Sequence, residues 1–176
     1  MDAKPAMTLA QINALDLEEF VRVVGPVFEH SPWIAEETWV LRPFAGLEKL
    51  HQALCRTVTL AGEEKQVGLI QAHPDLVGRA ALAGTLTPES NREQASAGLG
   101  QLSPEEIGIF QRNNQAYRER FGFPFVICAR LNKKEAILEG FETRLRHTRE
   151  QEVKAALEEI GKIAWWRLQD IIDFKN

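Results

Sequence analysis

The sequence predicts an all-α fold, a single compact domain of about seven to nine helices, several of them short and proline-initiated. Three observations predict it. Apolar residues recur at helical spacing along much of the chain. A hydroxyl residue followed by proline, the pattern of a cap and a first helical residue, occurs at Ser31-Pro32, Thr87-Pro88 and Ser103-Pro104. Almost no segment alternates apolar and polar residues as a half-buried strand would.

The elements follow in order. Thr8 with Gln11 three residues on reads as a capping box for a short first helix. Asp16 caps the next, where Leu17, Phe20, Val21 and Val24 share a face, and Gly25-Pro26 interrupts it. Ser31-Pro32 opens a helix that Arg42-Pro43 ends. Leu47, Leu50, Leu54 and Val58 place another over 45–60. Residues 64–72 read as short and mixed, and a loop with Gly78 and Gly84 follows His73-Pro74-Asp75-Leu76. Thr87-Pro88 opens a helix through Leu99. Ser103 and Glu106 form a second capping box for a helix to about Arg120, stopped by Gly122 and Pro124. The apolar run Phe125 to Ala129 fits either a buried strand or a buried turn of chain. Asn132 is the expected cap of a helix to about His147, and a long amphipathic helix runs from Glu150 to Asp173.

The chain has 176 residues, 44% apolar and 26% charged, enough apolar side chain to offset ordering entropy. That length fits one domain over 1–176. The net charge of −4 leaves no basic footprint for nucleic acid. No run approaches the ~20 apolar residues of a membrane span, so no membrane association is expected. Cys55 and Cys128 are too few for a disulfide scaffold. The N-terminus lacks the apolar core of a signal peptide, and Asp173 to Asn176 is not a peroxisomal address. The expected compartment is the cytoplasm.

Four segments could carry chemistry. His30, His51, His73 and His147 have no metal-ligand spacing with each other or with a cysteine, so no metal is expected. In His73-Pro74-Asp75 the proline pushes His73 out of helical conformation. His73 is therefore either a poised acid–base group in a cleft or a structural histidine at a helix end. On a helix Ser90, Glu93 and Gln94 share one face, which is either a site or a solvated helix start. The stretch Phe121 to Ile127 offers backbone groups outside regular helix, which need partners when buried. Cys128, inside an apolar run, reads as a small core residue. Arg167 follows Trp165-Trp166 on a mainly apolar helix, where it clamps an anion or carbonyl, or pairs with Asp170.

Taken together, Ala72-His73-Pro74-Asp75-Leu76, Ser90-x-x-Glu93-Gln94 with Ser96-Ala97-Gly98-Leu99, and Asn113/Asn114-x-x-Tyr117 leading to Phe121 through Ile127 resemble one family. That family is the decarboxylase of 2-oxo-4-hydroxy-4-carboxy-5-ureidoimidazoline (OHCU), the third enzyme of the urate-to-allantoin route. The resemblance runs from about Leu9 to Asp173. It implies an all-α homodimer with no cofactor and no metal, acting on a small ureidoimidazoline to give (S)-allantoin. It implies that His73 is the catalytic acid. It also implies that substrate is held by Pro74, by Ser90, Asn91, Arg92, Glu93 and Gln94, by Phe125, Val126, Ile127, Cys128 and Ala129, and by an arginine of the last helix that matches Arg167. Glu93 is expected as a second catalytic residue that orients the reacting hydroxyl or His73. Two rivals stand beside this reading: a non-catalytic ureide-binding or purine-pathway interaction module, and a metal-dependent hydrolase of allantoin-like compounds.

Overall fold

The computed structural model describes residues 6–173. The readings of the first five residues and of the tail beyond Asp173 lie outside them. Ten α-helices, three single 3-10 turns and one two-stranded parallel pair are present among the described residues. The chain divides into two compact units. One takes the residues up to Leu69 together with those from Gly161 on, and the other is Ile70–Ile160.

In the first unit, Thr8 and Gln11 form the expected capping box at the start of α1 (Leu9–Ala14). Asp16 accepts the Glu19 N–H at 2.8 Å to cap α2 (Leu17–Val24). Of its apolar face, Phe20 and Val24 are buried and Leu17 is exposed. A 3-10 turn over Gly25–Val27 follows. Helix α3 (Trp33–Thr38) starts one residue later than expected, with Pro32 in the cap position and no side-chain cap. Ser31 takes part through its carbonyl, which accepts the Ile34 N–H. The helix ends in a 3-10 turn over Trp39–Leu41 before a cis Arg42-Pro43 bond. Arg42 stacks its guanidinium 3.9 Å from the Trp39 ring centre and donates to the carbonyls of Asn13 and Leu15. Asn13 bonds both the N–H and the C=O of Phe44, at 2.8 and 3.0 Å. Helix α4 (Leu47–Leu60) buries the predicted stripe of Leu47, Leu50, Leu54 and Val58. A short parallel pair, β1 (Met7–Thr8) with β2 (Ile172–Asp173), joins the start of the chain to its end. Two residues per strand are too few to leave a periodic signal.

Residues expected to be short and mixed form a ten-residue helix, α5 (Glu63–Ala72). Its polar side chains hide the periodicity, and only the adjacent Leu69 and Ile70 mark its buried side. The loop after it contains a single helical turn, α6 (Arg79–Leu82).

In the second unit, Thr87 accepts the Ser90 N–H and caps α7 (Pro88–Ser96). This helix stops before Leu99 because Gly98 turns left-handed, at φ +82°, and the Leu99 N–H returns to the Gln94 carbonyl. Helix α8 (Pro104–Phe121) has both predicted ends: the Ser103–Glu106 capping box and Gly122 at φ +80°. Asn132 does not cap α9 (Lys134–Arg144). Lys133 holds the cap position, because the Asn132 amide is drawn back to the Cys128 carbonyl at 2.9 Å. Helix α10 (Arg149–Ile171) is the long amphipathic one. The core of the second unit is aromatic. Phe125 stacks on Phe141 at 4.0 Å between ring centres, and Tyr117 meets Phe125 edge-on at 5.3 Å.

Candidate active site

His73 closes α5. Its N–H reaches the Ile70 carbonyl at 3.1 Å, and Pro74 then prevents the helix from continuing. The imidazole is 6% exposed. Side chains of α7 and α8 tie the loop behind it on several sides. Asp75 accepts from Arg118 Nε with both carboxylate oxygens, at 2.9 and 3.0 Å. The Leu76 carbonyl accepts from Asn114 Nδ2 at 2.7 Å. The Val77 N–H donates to Gln94 Oε1 at 3.0 Å, and Gln94 Nε2 reaches back to the Asp75 carbonyl at 3.4 Å.

Val77 sits at φ +52°, a conformation that a β-branched side chain adopts only where its surroundings over-determine it. Gly78 has no room for more: an added Cβ would lie 2.6 Å from that of Asp75. The next turn is therefore built tightly against Asp75.

Ser90, Glu93 and Gln94 are all buried, so the shared face expected from their spacing turns inward and the solvated reading of this helix fails. Asn91 and Arg92 occupy the exposed side, where Arg92 lies 3.7 Å from Glu89. Glu93 has a cationic neighbour that sequence spacing does not reveal: Arg130 Nε stands 3.9 Å from its Oε1. Arg130 belongs to the 3-10 turn Ala129–Leu131, directly after the apolar stretch.

That stretch is neither helix nor paired strand. Phe125, Val126, Cys128 and Ala129 are buried, and Ile127 is half-buried. Some of its buried backbone groups find side-chain partners, as an irregular segment requires. Arg144 Nη1 donates to the Val126 carbonyl at 2.6 Å, and the Cys128 N–H donates to Glu159 Oε2 at 2.8 Å. Burial, with Glu159 adding to it, pushes the Cys128 thiol up, so it stays protonated and inert as a nucleophile.

Arg144 is part of a buried cluster that the sequence reading missed. Glu152, fully buried, accepts from Arg144 Nε at 2.9 Å, from the Tyr117 hydroxyl, and bonds His147 Nδ1 at 2.6 Å. A signal did exist. Arg144 falls in register with Ile137 and Phe141 on α9, and Glu152 with Ala156 and Ile160 on α10, so each charge lies on an apolar stripe. Burial, reinforced by Glu152, drives the Tyr117 hydroxyl far above its ordinary range.

Arg167 lies in the first unit. Its Nη1 pairs with Glu29 Oε2 at 2.9 Å, with both side chains almost fully buried, and also reaches the Pro26 carbonyl at 3.4 Å. Glu29, 138 residues away, is thus an ion-pair partner that spacing along the chain does not offer. Among the described residues no group of three His, Cys, Asp or Glu side chains is placed to hold a metal ion, and no helix is long and apolar enough to cross a membrane.

In this all-α scaffold the buried His73 imidazole and the buried Glu93 carboxylate, with Ser90 on the face of Glu93, lie on two elements that Gln94 joins. The comparisons make the class specific. The family model described as OHCU decarboxylase matches residues 13–169, and the chain belongs to that family. The 2-oxo-4-hydroxy-4-carboxy-5-ureidoimidazoline decarboxylase of Halalkalicoccus jeotgali is 41% identical over 165 residues, 94% of this chain and 92% of the relative. The protein of the same description from Amia calva is 44% identical over 166 residues, 94% of this chain and 95% of the relative. A solved structure of (S)-allantoin synthase superposes with a TM-score of 0.74 and 29% identity, over 95% of this chain and 54% of that one.

Proposed function

We propose that this chain decarboxylates OHCU to (S)-allantoin in urate degradation, as one catalytic domain and without a prosthetic group. The observation that carries the reading is the bonding of α7 to the His73 loop. Gln94 holds Val77 and Asp75, and so joins the element bearing Glu93 to the one bearing His73, with both titratable groups buried. A buried imidazole and carboxylate on two linked elements suit proton transfer more than passive binding.

OHCU carries a carboxylate and a hydroxyl on one ring carbon, next to conjugating C=N and C=O groups. When the bond to the carboxylate breaks, carbon dioxide leaves and the electron pair passes into that unsaturation. A proton is then delivered to one face of the carbon. His73 exchanges the proton, a role open to an imidazole because its ring nitrogens can both give and take one. Glu93 orients His73 or the reacting hydroxyl, with Arg130 beside it. Ser90 and the main chain of 125–129 hold the ring and ureido amides, and Pro74 fixes the course of the chain beside His73. Gln94, engaged at both ends of its amide by the loop, acts by placing that loop. Asn91 and Arg92 take no part in this reading. The homodimer and the cytoplasmic location belong to it and are checked by light scattering and by cell fractionation.

The test generates OHCU from urate in situ and follows its dichroic decay with and without the protein. Accelerated decay to enantiomerically pure allantoin supports the reading, and racemic product at the spontaneous rate overturns it. Activity retained in chelator removes the metal-dependent hydrolase. His73→Asn and Glu93→Gln, with folding checked by far-ultraviolet dichroism, should each lower turnover by about 100-fold or more, the usual loss for a general acid or base. A near-native rate in either takes that residue out of the mechanism.

A further inference from the structure

In the function proposed above the stretch 125–129 presents its backbone to substrate, yet nothing in its own sequence gives it a fixed conformation. It has no helical hydrogen bonds and no strand partner before the 3-10 turn at Ala129. Two long side chains from elsewhere in the unit supply the constraint. Arg144 of α9 holds the Val126 carbonyl at 2.6 Å, and Glu159 of α10 holds the Cys128 N–H at 2.8 Å. In extended chain the backbone groups of residues two apart point to the same side, and those of the residue between them point to the other. Cys128 is extended, at φ −71° and ψ 97°. Ile127, between the anchors, has an N–H and a C=O that bond no other described residue. A donor and an acceptor side by side on one residue match the N–H and C=O of a ureide.

The first anchor is itself made rigid. Arg144 is held at Nε by Glu152, which also accepts from Tyr117, and its guanidinium lies 4.4 Å from the centre of the Phe125 ring. The ion pair with Glu152 and the contact with the Phe125 ring thus fix the plane of the fork, so that Nη1 has one place to point. On the other side, an added Cβ at Gly140 would come within 3.2 Å of the Phe125 ring, so α9 approaches the stretch closely enough for Arg144 to span the gap.

We propose that Arg144 and Glu159 are positioning residues of the substrate site. They fix alternate backbone groups of the 125–129 stretch and so aim the Ile127 peptide edge at the ureide, with Glu152 and Tyr117 holding Arg144 in place. This rests on the reading of the chain as an OHCU decarboxylase. An edge that grips ground state and transition state alike contributes to binding and leaves the chemical step unchanged.

The test measures KM and kcat for OHCU in Glu159→Ala, Glu159→Gln and Arg144→Lys. Glu159→Ala should raise KM by about tenfold, the scale of one lost hydrogen bond to a charged group, with kcat within about twofold of wild type. Glu159→Gln keeps an oxygen for the Cys128 N–H and should recover most of the loss. Arg144→Lys retains the charge but lacks the fork that reaches Glu152 through Nε and the Val126 carbonyl through Nη1, so its KM should also rise. An unchanged KM in Glu159→Ala overturns the proposal. So does a fall confined to kcat at constant KM, which is the signature of a smaller folded fraction. Should Arg144→Lys fail to fold, the Glu159 pair decides alone. Absence of OHCU turnover in the wild type would instead overturn the function proposed above, so the two failures are distinct.

Discussion

The Val77 N–H donates to Gln94 Oε1 at 3.0 Å, and this bond joins a residue in left-handed conformation to the helix that carries Glu93. Left-handed geometry costs an L-residue roughly 1–2 kcal/mol, so Val77 stays there only because neighbours hold it. Gln94, Asn114 and Arg118 supply that hold through Val77, Leu76 and Asp75.

Gln94→Leu preserves volume and removes both amide contacts. The buried Val77 N–H then has no acceptor, at a cost of about 1–3 kcal/mol. The urea midpoint should fall accordingly at unchanged slope, and kcat should fall with it as the His73 loop loosens. A wild-type midpoint would mean that Gln94 does not brace the loop.

The Tyr117 hydroxyl gives an alkaline prediction. Its pKa is raised in the folded state, first by burial and then by Glu152, above the ordinary value of 10.0. The protonated hydroxyl is what the fold holds. Its contribution is therefore complete below pH 10 and declines as pH rises past the unfolded value, because the unfolded chain releases the proton first. One such group gives a slope of up to about 1.4 kcal/mol per pH unit. Tyr117→Phe should be less stable than wild type at neutral pH and should lose less on going from pH 9 to pH 11. Parallel denaturation curves across that range would contradict the assignment.

Arg167 and Glu29 form a buried ion pair within the first unit. Arg167→Met leaves the Glu29 carboxylate without this partner and should destabilise the protein by about 3–5 kcal/mol. Adding Glu29→Gln should recover part of that loss, because a neutral amide is less costly to bury than a lone charge. Chemical denaturation of the single and double variants measures both. Full stability in Arg167→Met would show that the pair has no structural weight.

The local features were legible in the sequence because they are set by residues three or four apart. The capping pairs Thr8–Gln11 and Ser103–Glu106, the stop at Gly122 and the shared face of Ser90, Glu93 and Gln94 all appear where the spacing placed them. Local rules failed where a second partner competed or where only the core marked an element. Asn132 is a good cap by composition, but its amide is taken by the Cys128 carbonyl. The helix Glu63–Ala72 is too polar to announce itself, and its existence depends on what covers Leu69 and Ile70.

The sequence by itself therefore determined the helical class, most helix starts, and the residues able to exchange a proton, because helix capping and acid–base character are properties of short segments. Only the tertiary structure decided the partners: Glu29 for Arg167, the Val126 carbonyl for Arg144, Arg130 for Glu93, and Val77 for Gln94. These pairings join residues 17 to 138 positions apart, from Val77 with Gln94 to Arg167 with Glu29, and two of them bring a side chain to a backbone group of another segment. Burying a charge or a bare peptide group without a partner is costly, so each must be matched, but spacing along the chain carries no record of which match the folded core makes available.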